Sequence, residues 1–127
     1  MMNTNNYITA TSRTDGDDEH YKAVADRMAS CARLIHYTDG LVTEAAELKD
    51  AIKKHTAYGT ELDVPNRKEE LGDVFWYAAR IMDMFDWSMG DVMQLNIDKL
   101  KARYPEKFTQ ELAENRDLEK EREILEQ

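Results

Sequence analysis

From Leu71 to Phe85 the apolar residues Leu71, Val74, Phe75, Ala78, Ile81, Met82 and Phe85 recur at three- and four-residue steps. That spacing fits one face of a helix and no strand. Breakers are scarce, with five glycines and two prolines in 127 residues, which favours a few long helices over many short strands. Hydrophobic residues make up 42% of the chain, enough for a core, and charged residues make up 34%, so the remaining surface is solvated.

The other helices follow from the same signals. A stripe of Tyr21, Val24, Met28, Cys31 and Ile35 predicts a first helix from about Asp18 to Thr38, stopped by Asp39-Gly40. Leu41, Ala45, Leu48 and Ile52 share a face of a second helix, closed by Gly59 just past its end at Tyr58. Thr60 to Pro65 is a loop. Asn66 with Glu69 forms a capping-box pattern at the start of the third helix, and Ser88 with Asp91 repeats it for a fourth. The fourth helix ends near Arg103, because the residue before Pro105 avoids helical dihedrals. The expected architecture is all-α: a four-helix bundle over residues 18–108, a flexible polar tail at 1–17, and a charged C-terminal helix at 109–127.

The formal net charge of −9 argues against nucleic acid as a partner, since phosphate backbones are bound by positive surface. No apolar run approaches the roughly 20 residues a membrane span requires, and the polar N-terminus has no signal-peptide core. A lone cysteine, Cys31, makes neither an internal disulfide nor a zinc cluster. Cytoplasmic localisation is expected.

The anomaly lies in the acids. Glu44 and Glu47 stand one turn apart on the second helix, and Glu70 and Asp73 do the same on the third, each pair flanked by apolar residues. A single Glu-x-x-Glu is ordinarily a solvated face. Two such pairs near a core repel one another and lose hydration, at a cost of several kcal/mol unless compensated. Lys and Arg are sparse on both faces. Oxygen-only ligands select a hard cation, Mg2+ or Mn2+ as its substitute, and carboxylates projecting from facing helices are a recurrent metal-binding device in bundles. In an antiparallel pair, helix rise leaves the two acidic pairs about 10 Å out of level. A loop spanning about 3.3 Å per residue can climb back and remove that offset.

The run Glu44-Ala45-Ala46-Glu47-Leu48, followed by Glu70-Leu71-Gly72-Asp73 and then Asn96-Ile97-Asp98-Lys99-Leu100, Arg103-Tyr104-Pro105 and Phe108, resembles the MazG-like all-alpha nucleoside triphosphate pyrophosphohydrolases. The likeness covers about Leu41 to Phe108. The family's opening pair of glutamates is departed from at one place, where Thr43 stands for the first.

The resemblance implies hydrolysis of a (d)NTP to the monophosphate and pyrophosphate, in nucleotide-pool control or housecleaning. It implies metal held by Glu44, Glu47, Glu70 and Asp73, which would neutralise phosphate charge and polarise an attacking oxygen. Glu44 or Glu47 would handle the water proton. Lys99 and Arg103 match the family's basic positions for phosphate, and a homodimer or homotetramer is implied. Beside these, Lys54 shares the Glu47 face and could touch phosphate. Asn96 could bond sugar or base. Trp76 and Tyr77 lie near Glu70 and could flank a nucleobase, although plain packing is the commoner role of such aromatics. His36 and His55 are read as structural.

Phosphoribosyl-ATP pyrophosphohydrolases share the reaction type, but the Arg103-Tyr104-Pro105 block favours the MazG-like side. The alternative from another class is a non-catalytic helical oligomer that binds nucleotide or regulates a partner. A di-iron bundle would need a Glu-x-x-His motif on two helices, which is missing here.

Overall fold

The computed structural model describes residues 3–126, which are helical with connecting loops and contain no strand. Seven α-helices follow in order: α1 (Thr4–Thr11), α2 (Asp18–Ser30), α3 (Ala32–Tyr58), α4 (Val64–Met84), α5 (Met89–Arg103), α6 (Gln110–Glu114) and α7 (Leu118–Leu125), with a 3-10 turn at Ser12–Thr14. The long hairpin α3/α4 supplies most of the tertiary packing, and α7 lies against α5. The all-α expectation holds.

Several boundaries differ from the sequence reading. Thr4–Thr11, inside the expected tail, form a helix whose N-cap Asn3 accepts from the Asn6 amide at 2.8 Å, and every residue of it is exposed. Asp39-Gly40 does not stop a helix. The break falls instead at Cys31 (φ −108°, ψ 10°), and α3 runs unbroken through Gly40, which is buried under the Tyr77 ring. Two short helices, α6 and α7, separated by residues 115–117, stand where one C-terminal helix is expected over 109–127, of which Gln127 lies outside the described residues.

The remaining ends follow local chemistry. Gly59 closes α3 in the left-handed conformation (φ 68°, ψ 18°), where the absence of a Cβ removes the usual penalty. The α4 cap is Asp63, whose carboxylate accepts from the Asn66 amide at 3.1 Å, with Pro65 in the first turn where no amide is needed. This places the cap three residues before the expected Asn66. Ser88 caps α5 through the Asp91 amide, as the sequence pattern indicates.

The single chain buries little. Among the described residues no hydrophobic side chain is fully buried, while Phe75, Trp76, Phe85 and Trp87 are exposed. The accessible surface is 10710 Å². A folded monomer of 14.8 kDa exposes roughly 7,000 Å² by the usual mass scaling.

Candidate metal centre

The register of the α3/α4 hairpin brings the acids level. The Arg80 guanidinium lies 5.9 Å from the centre of the Tyr37 ring, and the Tyr77 ring covers Gly40. One further turn towards the loop, Glu44 feels the charge of Asp73, and in the next turn Glu47 meets Glu70. These partners step by three or four residues in opposite directions, as antiparallel helices require. Glu47 lies farther from the end of α3 than Glu70 does from the start of α4, so the end of α3 overhangs, and residues 59–63 make the connection. That is how the offset expected from helix rise is removed.

Glu44, Glu47 and Glu70 each present a carboxylate oxygen, and the three oxygens lie within 4.8 Å of one another. Glu70 is buried at 8% exposure, Glu44 is half-buried and Glu47 is open to solvent. Mg2+ takes oxygens at about 2.0–2.1 Å, so opposed ligands stand about 4.2 Å apart. Small side-chain rotations would close the trio to that span. Asp73 lies outside the trio but close enough to act on it. The Glu44 carboxyl is pushed above its ordinary range, first by burial and then by the charges of Glu47, Asp73 and Glu70. A site whose own charges oppose ionisation is one a divalent cation relieves.

One supporting residue was missed in the sequence. Asn66 Nδ2 donates to Glu70 Oε1 at 2.8 Å, and Asn66 Oδ1 accepts from Arg67 Nη2 at 2.9 Å. The four-residue spacing of Asn66 and Glu70 is the sequence signal for this bond, and the capping pattern at the same residue concerns only the backbone. The other guanidinium donors of Arg67, Nε and Nη1, are shielded from solvent and have no protein partner. Thr43 spends its hydroxyl within the helix, donating to the Gly40 carbonyl at 2.8 Å.

The remaining residues singled out in the sequence lie outside the trio, those of α5 on a helix whose main packing is against α7. Lys54 pairs with Asp50 at 2.7 Å, and both are exposed. Tyr77 is half-buried between α3 and α4, edge-on to His36 with ring centres 6.0 Å apart. Trp76 is 52% exposed and meets Tyr77 edge-on at 4.9 Å. His55 caps the end of α3 through the Thr60 carbonyl at 2.8 Å. On α5, Asn96 is exposed and Lys99 half-buried.

Arg103 is engaged elsewhere. Its Nε and Nη2 donate to the two oxygens of Glu121 at 2.8 and 2.5 Å, and Arg116 Nη2 adds a third bond at 2.7 Å. The two guanidiniums hold the Glu121 carboxyl down to about 2. Eighteen residues separate Arg103 from Glu121, so no local pattern announces the pair.

The model of the MazG nucleotide pyrophosphohydrolase domain matches residues 33–108. The Gene 37 protein of Mycobacterium phage L5 is 33% identical over 87 residues, covering 65% of this chain and 76% of that protein. No solved structure matches significantly.

Proposed function

The chain belongs to the MazG nucleotide pyrophosphohydrolase family, and from that premise we propose that it is a Mg2+-dependent enzyme cleaving (d)NTP to (d)NMP and pyrophosphate. The convergence of Glu44, Glu47 and Glu70 within 4.8 Å, on a hairpin inside the matched segment, carries the reading. Glu44, Glu47, Glu70 and Asp73 would hold the cation, with Mn2+ as a substitute. When bound, it supplies charge neutralisation for the phosphates.

The protein's own share is positioning and proton handling. Water forms a bond to phosphorus, the bridging bond between the α- and β-phosphates breaks, and pyrophosphate leaves with that oxygen. The proton lost by the water passes to a carboxylate. Glu44, whose carboxyl is pushed up by burial, and the solvent-facing Glu47 are the groups for this step. Exposed Trp76 offers a face to a base, with Tyr77 braced behind it. Lys54, Asn96, Lys99 and Arg103 complete the substrate contacts in this reading, Lys54 after leaving Asp50 and Arg103 after leaving Glu121.

Residues 18–108 form the catalytic unit, and the working form is a homodimer or homotetramer in the cytoplasm. The surface excess supports assembly: the chain exposes 10710 Å², several thousand above the monomer scaling. A standard interface covers only about 800 Å² per partner. No described helix is long and apolar enough to cross a membrane.

The test is a panel of canonical and modified NTPs and dNTPs with Mg2+ or Mn2+, products separated by chromatography. Monophosphate and pyrophosphate from one substrate support the reading and name the base. Diphosphate with inorganic phosphate, or no turnover by a protein that still binds metal and nucleotide, moves it to a binding or regulatory oligomer.

A further inference from the structure

The Arg103–Glu121 contact joins the α5 face that carries Lys99 and Arg103 to a helix outside the matched segment. Glu121 is 4% exposed, and both of its oxygens are taken by guanidinium N–H groups. Two converging guanidiniums form a receptor for any planar or tetrahedral oxyanion, because the fork of Arg donors fits phosphate as well as carboxylate. One carboxylate leaves that pair a positive charge in excess, in a chain whose net charge is −9. Beside the ion pair is a cavity of about 170 Å³ bordered by Arg103, Lys120 and Glu121, several times the roughly 30 Å³ share of one water. Asp117 also borders it. At the far end of α7, Leu125 lines an open groove together with Trp87, Val92 and Leu95.

We propose that α7 is a strap closed over α5, with the Glu121 carboxylate occupying in cis an oxyanion site formed by Arg103 and Arg116, and that a phosphate oxyanion displaces it. A phosphate dianion brings twice the charge of Glu121 to the same donors. Displacement frees Arg103 and opens the α5 face. The strap thereby limits access until a polyphosphate is present, a regulation that rests on the phosphate-contact role assigned to Arg103 above.

The experiment uses the full chain in a chelator, so that no turnover occurs. Hydrogen–deuterium exchange at the α7 amides is followed while inorganic pyrophosphate, or in parallel a non-hydrolysable nucleoside triphosphate analogue, is titrated. Displacement predicts that exchange in α7 rises at least several-fold at saturation while α3 and α4 stay protected. Opening by pyrophosphate assigns the site to free oxyanion, and opening by the analogue alone to bound substrate. Glu121→Gln binds pyrophosphate at least tenfold more tightly than wild type, and Arg116→Gln binds it more weakly. Unchanged α7 protection in wild type at the highest concentration of both ligands overturns the proposal, and that arm needs no variant. Absence of NTP hydrolysis would show in product analysis instead, with the displacement intact.

Discussion

The Tyr77 ring packs so closely on Gly40 that a β-carbon at position 40 would stand 2.2 Å from the ring. Three- and four-residue steps carry this contact to the acidic trio, so the hairpin spacing there sets the spacing of the carboxylates. Gly40→Ala gains about 1 kcal/mol of helix propensity but forces the helices apart, and overpacking of this kind costs about 1–3 kcal/mol. We expect a lower melting temperature and weaker Mn2+ binding, both restored in part by adding Tyr77→Ala. A Gly40→Ala protein that melts higher and binds Mn2+ normally would contradict the register.

Asn66→Ala removes the donor to Glu70 and leaves the helix cap at Asp63 in place. Groups that orient metal ligands are worth about 10–100-fold in affinity. Calorimetric titration with Mn2+ checks this, and circular dichroism should show unchanged helix content. Unaltered affinity would reduce Asn66 to a helix-start residue.

Glu44 gives a pH prediction whose sign follows from its raised carboxyl. A group that holds its proton more firmly when folded stabilises the fold below the ordinary carboxylate range and loses that contribution as pH rises through the raised value. In chelator at neutral pH, Glu44→Gln should therefore melt above wild type, and the gap should close as pH falls below the ordinary range. Saturating Mg2+ should raise the wild-type melting temperature more than the variant's. Thermal scans across pH, with and without Mg2+, decide it. A Glu44→Gln protein that melts below wild type in chelator would rule out charge repulsion at this site.

Assembly is tested through Trp87, 55% exposed and stacked on Phe85 at 4.6 Å between ring centres. Sedimentation should show a dimer or larger for wild type, and Trp87→Glu should shift it towards monomer. A monomeric wild type at micromolar concentration would leave the exposed apolar surface unexplained.

Much of this was legible in the sequence because it rests on periodicity. The stripe from Leu71 to Phe85, the Ser88 cap and the two acid pairs are all local patterns. The helix and the cap form where the spacing implies, and Glu44, Glu47 and Glu70 converge, while Asp73 stays outside the trio and Leu71, Phe75 and Phe85 remain exposed on the single chain. What escaped depends on partners distant in the chain. Gly40 reads as a helix stop until Tyr77 is seen beside it, since a glycine with no Cβ serves close approach as readily as a turn. Asn66 reads as a cap from the sequence because Asp63 lies before Pro65 in what the pattern marks as loop, whereas the carboxylate of Asp63 makes the cap bond. Arg103 reads as a phosphate contact by resemblance, and only the fold reveals that Glu121 holds its guanidinium.

The most direct measurement is pyrophosphate release by wild type and Glu70→Gln with the preferred nucleotide, in Mg2+ and in EDTA. Glu70 is the buried member of the trio, and the Gln variant keeps its shape while removing its charge. The account predicts metal-dependent release by wild type, none in EDTA, and a loss of about a hundredfold or more in the variant, as for removal of a group that stabilises charge in the transition state. Release that persists in EDTA, or that Glu70→Gln leaves intact, would contradict it.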